Sequence, residues 1–184
     1  AERMRYMRNF GFSGYDQVNY VGTNGKMTEI AAAMGLNSLD NIETIITANK
    51  CNYDAYHHYL DDIPGISMLR YDEAERNNYQ YIVLEIDEII AGISRDDMVR
   101  VLHAENVLVR RYFYPGVHQM EPYRSYFPHA GLLLPRTESV VNRVMCLPTG
   151  ISVTPDDIAK VCQLIRFIVE NSAQLAAMLA AGTR

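Results

Sequence analysis

The sequence of 184 residues has no apolar run approaching the roughly 20 residues that a membrane-spanning helix needs. No apolar signal-peptide core follows the opening Ala1-Glu2-Arg3-Met4-Arg5. Membrane residence and secretion are therefore not expected, and the cytoplasm is the expected compartment. Cysteine is scarce. Cys51, Cys146 and Cys162 are widely spaced and form no Cys-x-x-Cys pair. That argues for free thiols rather than a disulfide framework. Clustered basic residues are also missing. The net charge is −5 and the longest basic runs are as short as Arg110-Arg111, so nucleic acid is not an expected partner. There is no Gly-x-Ser-x-Gly and no His-Glu-x-x-His. His57 and His58 fall on different faces of one predicted helix, so no metal site is expected. No internal repeat or low-complexity stretch stands out.

Hydrophobic residues make up 48% of the chain, too many for disorder. Helical spacing predicts a helix from Glu2 to Asn9, already under way at residue 1, which suggests a natural chain that begins earlier. Gly11 to Gly25 reads as a loop. Lys26 to Met34 reads as a helix broken by Gly35. A longer helix capped by Ser38 follows, with an apolar stripe from Leu39 to Leu60. Ile66–Tyr71, Tyr81–Ile86, Val107–Tyr114 and Val144–Leu147 are strand candidates. Ser94 and Thr154 each open a helix with acids in its first turn, and Pro135 to Asn142 is a third helix. Residues 115–134 read as a loop. This order predicts an α/β fold, an α+β sandwich in which helices cover one sheet face.

Two segments concentrate chemistry. Gly22-Thr23-Asn24-Gly25-Lys26-Met27 precedes a helix. It is not a phosphate-binding P-loop, because Tyr20 stands where the first glycine belongs and Met27 replaces the hydroxyl residue. It reads either as a glycine loop capping a helix or as a loop whose Asn24 amide reaches a phosphate. Arg111-Tyr112-Phe113-Tyr114-Pro115-Gly116-Val117-His118 delivers aromatics and a histidine into a loop. It reads either as an aromatic sheet face or as a binding loop. Asp87-Glu88 is either a carboxylate pair or a polar strand end.

Taken together, these segments resemble the DegT-type (DegT/DnrJ/StrS) nucleotide-sugar aminotransferases of the type I aminotransferase fold. The resemblance is carried by Met7 to Gly11, Gly22 to Met27 with Ala31 to Leu36, and Asn106 to Pro115 with His118, Pro122 and Tyr123. Cys146 to Gly150 and Thr154 to Ile158 complete it. It implies the C-terminal small domain of that fold, a small, mainly antiparallel sheet covered by helices. Residues 1–60 would be the end of the large domain, the phosphate-contacting loop and a long interdomain helix, and 61–184 the small domain.

The resemblance also implies pyridoxal 5′-phosphate as cofactor and amino transfer from glutamate to a nucleotide-linked keto-sugar, a dTDP-4-keto-6-deoxy sugar being a common choice. It implies a homodimer with sites at the subunit interface. Asn24 would contact the cofactor phosphate of the partner subunit. Lys26, Tyr114 and His118 would bind substrate. The family's Schiff-base lysine has no counterpart here. The lysines are Lys26, Lys50 and Lys160, none in that lysine's sequence context, so no catalytic residue is expected in this chain. A truncated chain, a proteolytic remnant or half of a split enzyme is the expectation, with a complementary N-terminal half as partner. A non-catalytic dimerisation module is the alternative. The apolar helix from Ser38 to Leu60 is expected to be exposed and to drive self-association.

Overall fold

The structure, a computed structural model, describes residues 1–181. Backbone contacts divide the chain into two compact units, Ala1–Glu43 and a second from Thr44 onward.

In the first unit, α1 (Glu2–Met7) leads into a small hairpin of β1 (Phe12–Gly14) and β2 (Gln17–Val18), with Phe12 opposite Val18. The expected loop over Gly11–Gly25 thus contains two strands. They are two and three residues long and mostly exposed, so no alternating pattern betrays them. The chain then folds back onto α1. The Phe10 amide donates to the Thr23 carbonyl (3.1 Å), Thr23 to Met7 (2.9 Å) and Gly25 to Arg8 (2.8 Å). Two glycines permit this. Gly11 has φ +86°, and a Cβ there would lie 1.7 Å from the Tyr20 carbonyl oxygen. A Cβ on Gly22 would lie 2.3 Å from the Gly11 nitrogen and 2.4 Å from the Met7 carbonyl oxygen.

Helix α2 (Glu29–Asp40) starts at Thr28, whose hydroxyl accepts from the Ala31 amide at 3.2 Å. It runs straight through Gly35, which corrects the expected break. A lone glycine in an exposed helix costs only about 1 kcal/mol, too little to stop it. Ser38 is not a cap either; its hydroxyl donates to the Met34 carbonyl at 2.9 Å. The interruption comes at Asn41, and α3 (Ile42–Leu60) follows. No residue of α2 is buried, and Ile30, Met34, Leu36 and Leu39 are exposed. The exposed apolar face therefore lies on α2. The stripe of α3 goes the other way, with Tyr53, Tyr56 and Leu60 in the core. For that reason contacts divide the chain inside α3, earlier than residue 60.

The second unit is built on an antiparallel sheet of β3 (Ile66–Met68), β4 (Ile82–Ile86) and β5 (Val144–Leu147), with β4 central. Ile66 pairs with Ile86, Met68 with Leu84, Leu84 with Met145 and Ile82 with Leu147. Side chains alternate in strands, so these paired residues share one face, and all are buried. Three helices cover that face: α3, α5 (Arg95–Ala104) and α9 (Pro155–Glu170). They contribute Tyr56, Leu60, Met98, Leu102, Ile158, Ile165 and Ile168. The sandwich expected from the sequence is present.

Caps explain the helix starts. Ser94 accepts from the Asp97 amide, and Thr154 and Asp157 form a reciprocal capping box with Pro155 at the first position. Asp87 caps the short α4 (Glu88–Ala91), accepting from Ile89 and Ile90, so it is neither a carboxylate pair with Glu88 nor a bare strand end. Val107–Tyr114 is not a strand. Only Arg110 pairs, with Cys146, through reciprocal backbone bonds of 3.1 and 2.7 Å. The segment then turns, with Tyr114 donating to the Arg111 carbonyl. Residues 115–134, expected as loop, hold a 3-10 turn (Val117–Gln119), α6 (Tyr123–Tyr126) and α7 (Ala130–Leu133); α8 (Pro135–Val141) and, at the end, α10 (Ser172–Ala181) complete the fold. Among the described residues no helix is long and apolar enough to cross a membrane.

Candidate functional site

The sequence-predicted residues fall on two surfaces, one in each unit. In the first unit, the loop 22–28 carries Asn24 and Lys26. The backbone of Asn24 forms an isolated bridge with Asn9, and its neighbours Thr23 and Gly25 are tied to α1. The Asn24 side chain is exposed on this fixed backbone. The Lys26 ammonium lies 5.8 Å from the Phe10 ring centre, a cation–π contact that keeps the head near solvent.

In the second unit, Tyr114 lies in the turn closed on Arg111 and His118 in the following 3-10 turn. The Tyr114 ring has two guanidinium neighbours, Arg95 at 4.9 Å and Arg111 at 4.8 Å. One carboxylate connects them: Asp96 Oδ1 accepts from Arg95 Nε (2.8 Å) and from Arg111 Nη1 (2.9 Å). Partial burial pushes the Asp96 carboxyl upward, but the hydrogen bonds and charges of Arg111 and Arg95 outweigh it and hold the group below its ordinary value. Arg95 is the residue that sequence reading missed. Its side chain is 1% exposed, Nη1 donates to the Val144 carbonyl at 2.5 Å, and among the described residues the buried Nη2 meets no hydrogen-bond partner. In the sequence it looks like any first-turn arginine after a serine cap. Its role depends on a carbonyl 49 residues away.

His118 is held by α8. Its Nε2 lies 2.5 Å from Glu138 Oε1, which also accepts from Gln119 Nε2 at 2.9 Å. The bond from His118, then that from Gln119, hold the Glu138 carboxyl below its ordinary value. Tyr114 and His118 line different hollows, which meet along Tyr112 and Phe113.

Lys50 pairs with Asp54 at 3.0 Å and Lys160 with Asp156 at 2.5 Å. In each case the hydrogen bond to the carboxylate holds the ammonium above its ordinary value. An amine that must act as a nucleophile at neutral pH needs the opposite shift. Of the thiols, Cys51 is exposed and Cys162 buried. Burial pushes Cys162 up to about 12, which makes it inert.

Residues 1–166 match the DegT/DnrJ/EryC1/StrS aminotransferase family. The chain belongs to this family. A dTDP-4-amino-4,6-dideoxy-D-glucose transaminase of Escherichia coli is 34% identical over 163 residues, 89% of this chain and 44% of the relative. The protein of the same name from Shigella dysenteriae is 29% identical over 168 residues, 91% of this chain and 45% of that protein. The chain thus spans under half the length of these curated relatives. Among solved structures, DesI, determined in the presence of its TDP-sugar product, superposes with a TM-score of 0.86 at 44% identity, over 96% of this chain and 44% of DesI. DesV of S. venezuelae shares the fold, with a TM-score of 0.81 at 23% identity over 92% of this chain and 44% of DesV. The family membership agrees with the aminotransferase small-domain fold expected from the sequence.

Proposed function

We propose that this chain is one part of a pyridoxal-phosphate-dependent aminotransferase that moves an amino group from glutamate to a nucleotide-linked keto-sugar. A dTDP-4-keto-6-deoxy sugar is the proposed acceptor. The observation that carries this reading is the family match over residues 1–166, together with the likeness to DesI across nearly the whole chain. The complete enzyme would be a homodimer, or this chain joined to a complementary N-terminal half.

Pyridoxal phosphate, when bound, supplies the electron sink for such a transfer. Part of this chain fits the group. Asn24 is exposed on a backbone held by three hydrogen bonds to the α1 region, and its amide can donate to a phosphate. Lys50 and Lys160 fit poorly as covalent anchors, since each is paired with a carboxylate that favours its charged form. In this reading the chain's residues bind and orient. Lys26 meets an anionic group of substrate. Tyr114, fixed between guanidiniums, and His118, fixed by Glu138, hold the sugar or the donor. The exposed apolar face of α2, with Ile30, Met34 and Leu39, supports a subunit contact there.

The test is complementation. This chain mixed with the N-terminal half of a family member should aminate dTDP-4-keto-6-deoxyglucose with glutamate as donor. A complex that forms, binds cofactor and transfers no amino group to any keto-sugar nucleotide would refute the reading and leave the non-catalytic module.

A further inference from the structure

We propose that Asn24 is a modification site, converted to aspartate or its β-linked isomer by loss of ammonia and uptake of water whenever the 22–28 loop lifts from α1. The proposal rests on the reading above only for its consequence, since the Asn24 amide is there the group that meets a phosphate.

Asn24-Gly25 is the one Asn-Gly step in the sequence; every other asparagine precedes a residue with a side chain. Asn24 and Gly25 are both exposed. The nucleophile is the Gly25 nitrogen, which loses its proton to base and attacks the Asn24 side-chain carbon, Cγ. A C–N bond forms there, the bond to the side-chain nitrogen breaks, and ammonia leaves. Water then opens the five-membered imide at either carbonyl. One opening gives aspartate, the other routes the chain through the β-carbon. No electrons are exchanged, and water is the only co-reactant. Glycine suits the attack, since it has no Cβ to crowd the nitrogen and its backbone reaches many conformations.

The docked loop holds this reaction back. The Gly25 N–H donates to the Arg8 carbonyl at 2.8 Å and to the Thr23 carbonyl at 3.0 Å, and the Asn24 backbone is bridged to Asn9. A nitrogen whose proton is shared with two carbonyls, on a backbone fixed at both sides, attacks its neighbour poorly. The docking itself is weak. Among residues 1–43 only Gly11 is buried, so the loop rests on backbone hydrogen bonds open to water and not on a core. Segments of that kind open locally at low cost. Loop opening is far faster than amide chemistry, so the rate follows the open population. The buried asparagines differ, since Asn49 Nδ2 donates to the Asn78 carbonyl at 3.1 Å and Asn52 Nδ2 to the Gly150 carbonyl at 3.0 Å within α3. At Asn24 the product replaces a donor with a carboxylate, which repels a phosphate.

The test follows the peptide carrying residue 24 by mass spectrometry, in the 184-residue chain at mildly alkaline pH, and counts the amide-to-acid mass gain and the β-linked isomer. Unfolded in urea, the chain should convert at Asn24 before any other asparagine, and Gly25→Ala should slow that conversion. The native chain should convert at least about tenfold more slowly, the factor for a docked loop favoured by about 1.4 kcal/mol. Gly22→Ala should bring the native rate close to the urea rate, because its Cβ would lie 2.3 Å from the Gly11 nitrogen and 2.4 Å from the Met7 carbonyl oxygen. Unchanged amide spectra of the second unit would show that only the first was released. Earlier conversion of another asparagine in urea, equal native and urea rates, or no gain in Gly22→Ala would each overturn the proposal, as would an unslowed Gly25→Ala. Adding the N-terminal half of a family member with pyridoxal phosphate should slow the native chain further. If that arm alone fails, the phosphate contact of Asn24 falls and the modification stands.

Discussion

The guanidinium carbon of Arg95 lies 4.9 Å from the centre of the Tyr114 ring, and the side chain that makes this contact is 1% exposed. A buried cation is thus spent on fixing one aromatic at the start of the 115–134 segment. Its other contacts are the Asp96 carboxylate and the Val144 carbonyl. Asp96→Asn should leave the guanidinium under-compensated and cost about 1–2 kcal/mol, since a hydrogen bond to a charged group is involved but Asp96 is half in solvent. Urea unfolding at pH 7 would measure it. Tyr114 ring resonances should broaden or move in the same variant; unchanged stability and unchanged ring signals would count against the cluster.

Acid should loosen the second unit. Glu138 is held low by His118 and Gln119, Asp157 by Thr154, Asp62 by Arg166 and Glu121 by Ser125 and Arg124. Folded carboxyls with depressed pKa values stabilise above the unfolded value of about 4 and lose that contribution as pH falls through the lower, folded values. The denaturation midpoint should therefore climb between roughly pH 3 and 5 and then level off. Glu138→Gln combined with Asp157→Asn should flatten the climb.

The core makes a plainer claim. Leu84 is fully buried at the centre of the sheet, paired with Met68 on one side and Met145 on the other. Leu84→Ala should cost about 2–5 kcal/mol through lost burial and the cavity left behind. A cost under 1 kcal/mol in chemical denaturation would argue against this sheet register.

At the start of α9, Thr154→Ala should cost about 1 kcal/mol, because it removes the hydroxyl half of a reciprocal cap, the acceptor for the Asp157 amide. Thermal unfolding would show it, and Thr154→Ser should restore most of the loss.

How far the sequence carried these features depended on how local their causes are. Thr154-Pro155-Asp156-Asp157 and Ser94 to Asp97 are legible because cap, proline and acids act within four residues. The strand β4 is legible because its residues are dense in β-formers, and the structure adds the alternating burial along β4 and β5. Gly35 misled because an exposed helix tolerates one glycine. Val107 to Tyr114 misled because its alternation belongs to a segment that makes a single bridge to Cys146 and then turns. Of the proposed site, Asn24, Lys26, Tyr114 and His118 were named through the family resemblance alone and remain proposals. Arg95 was not, because its burial is set by Val144 and by a ring nineteen positions on, neither of which a local pattern encodes.

The most direct measurement is borohydride reduction of the complemented complex loaded with pyridoxal phosphate, followed by peptide mass spectrometry. A cofactor adduct on a lysine of the N-terminal half, with Lys26, Lys50 and Lys160 unmodified, is the predicted result. A near-stoichiometric adduct on any of those three would contradict the assignment of this chain as a wall of the site without its amine.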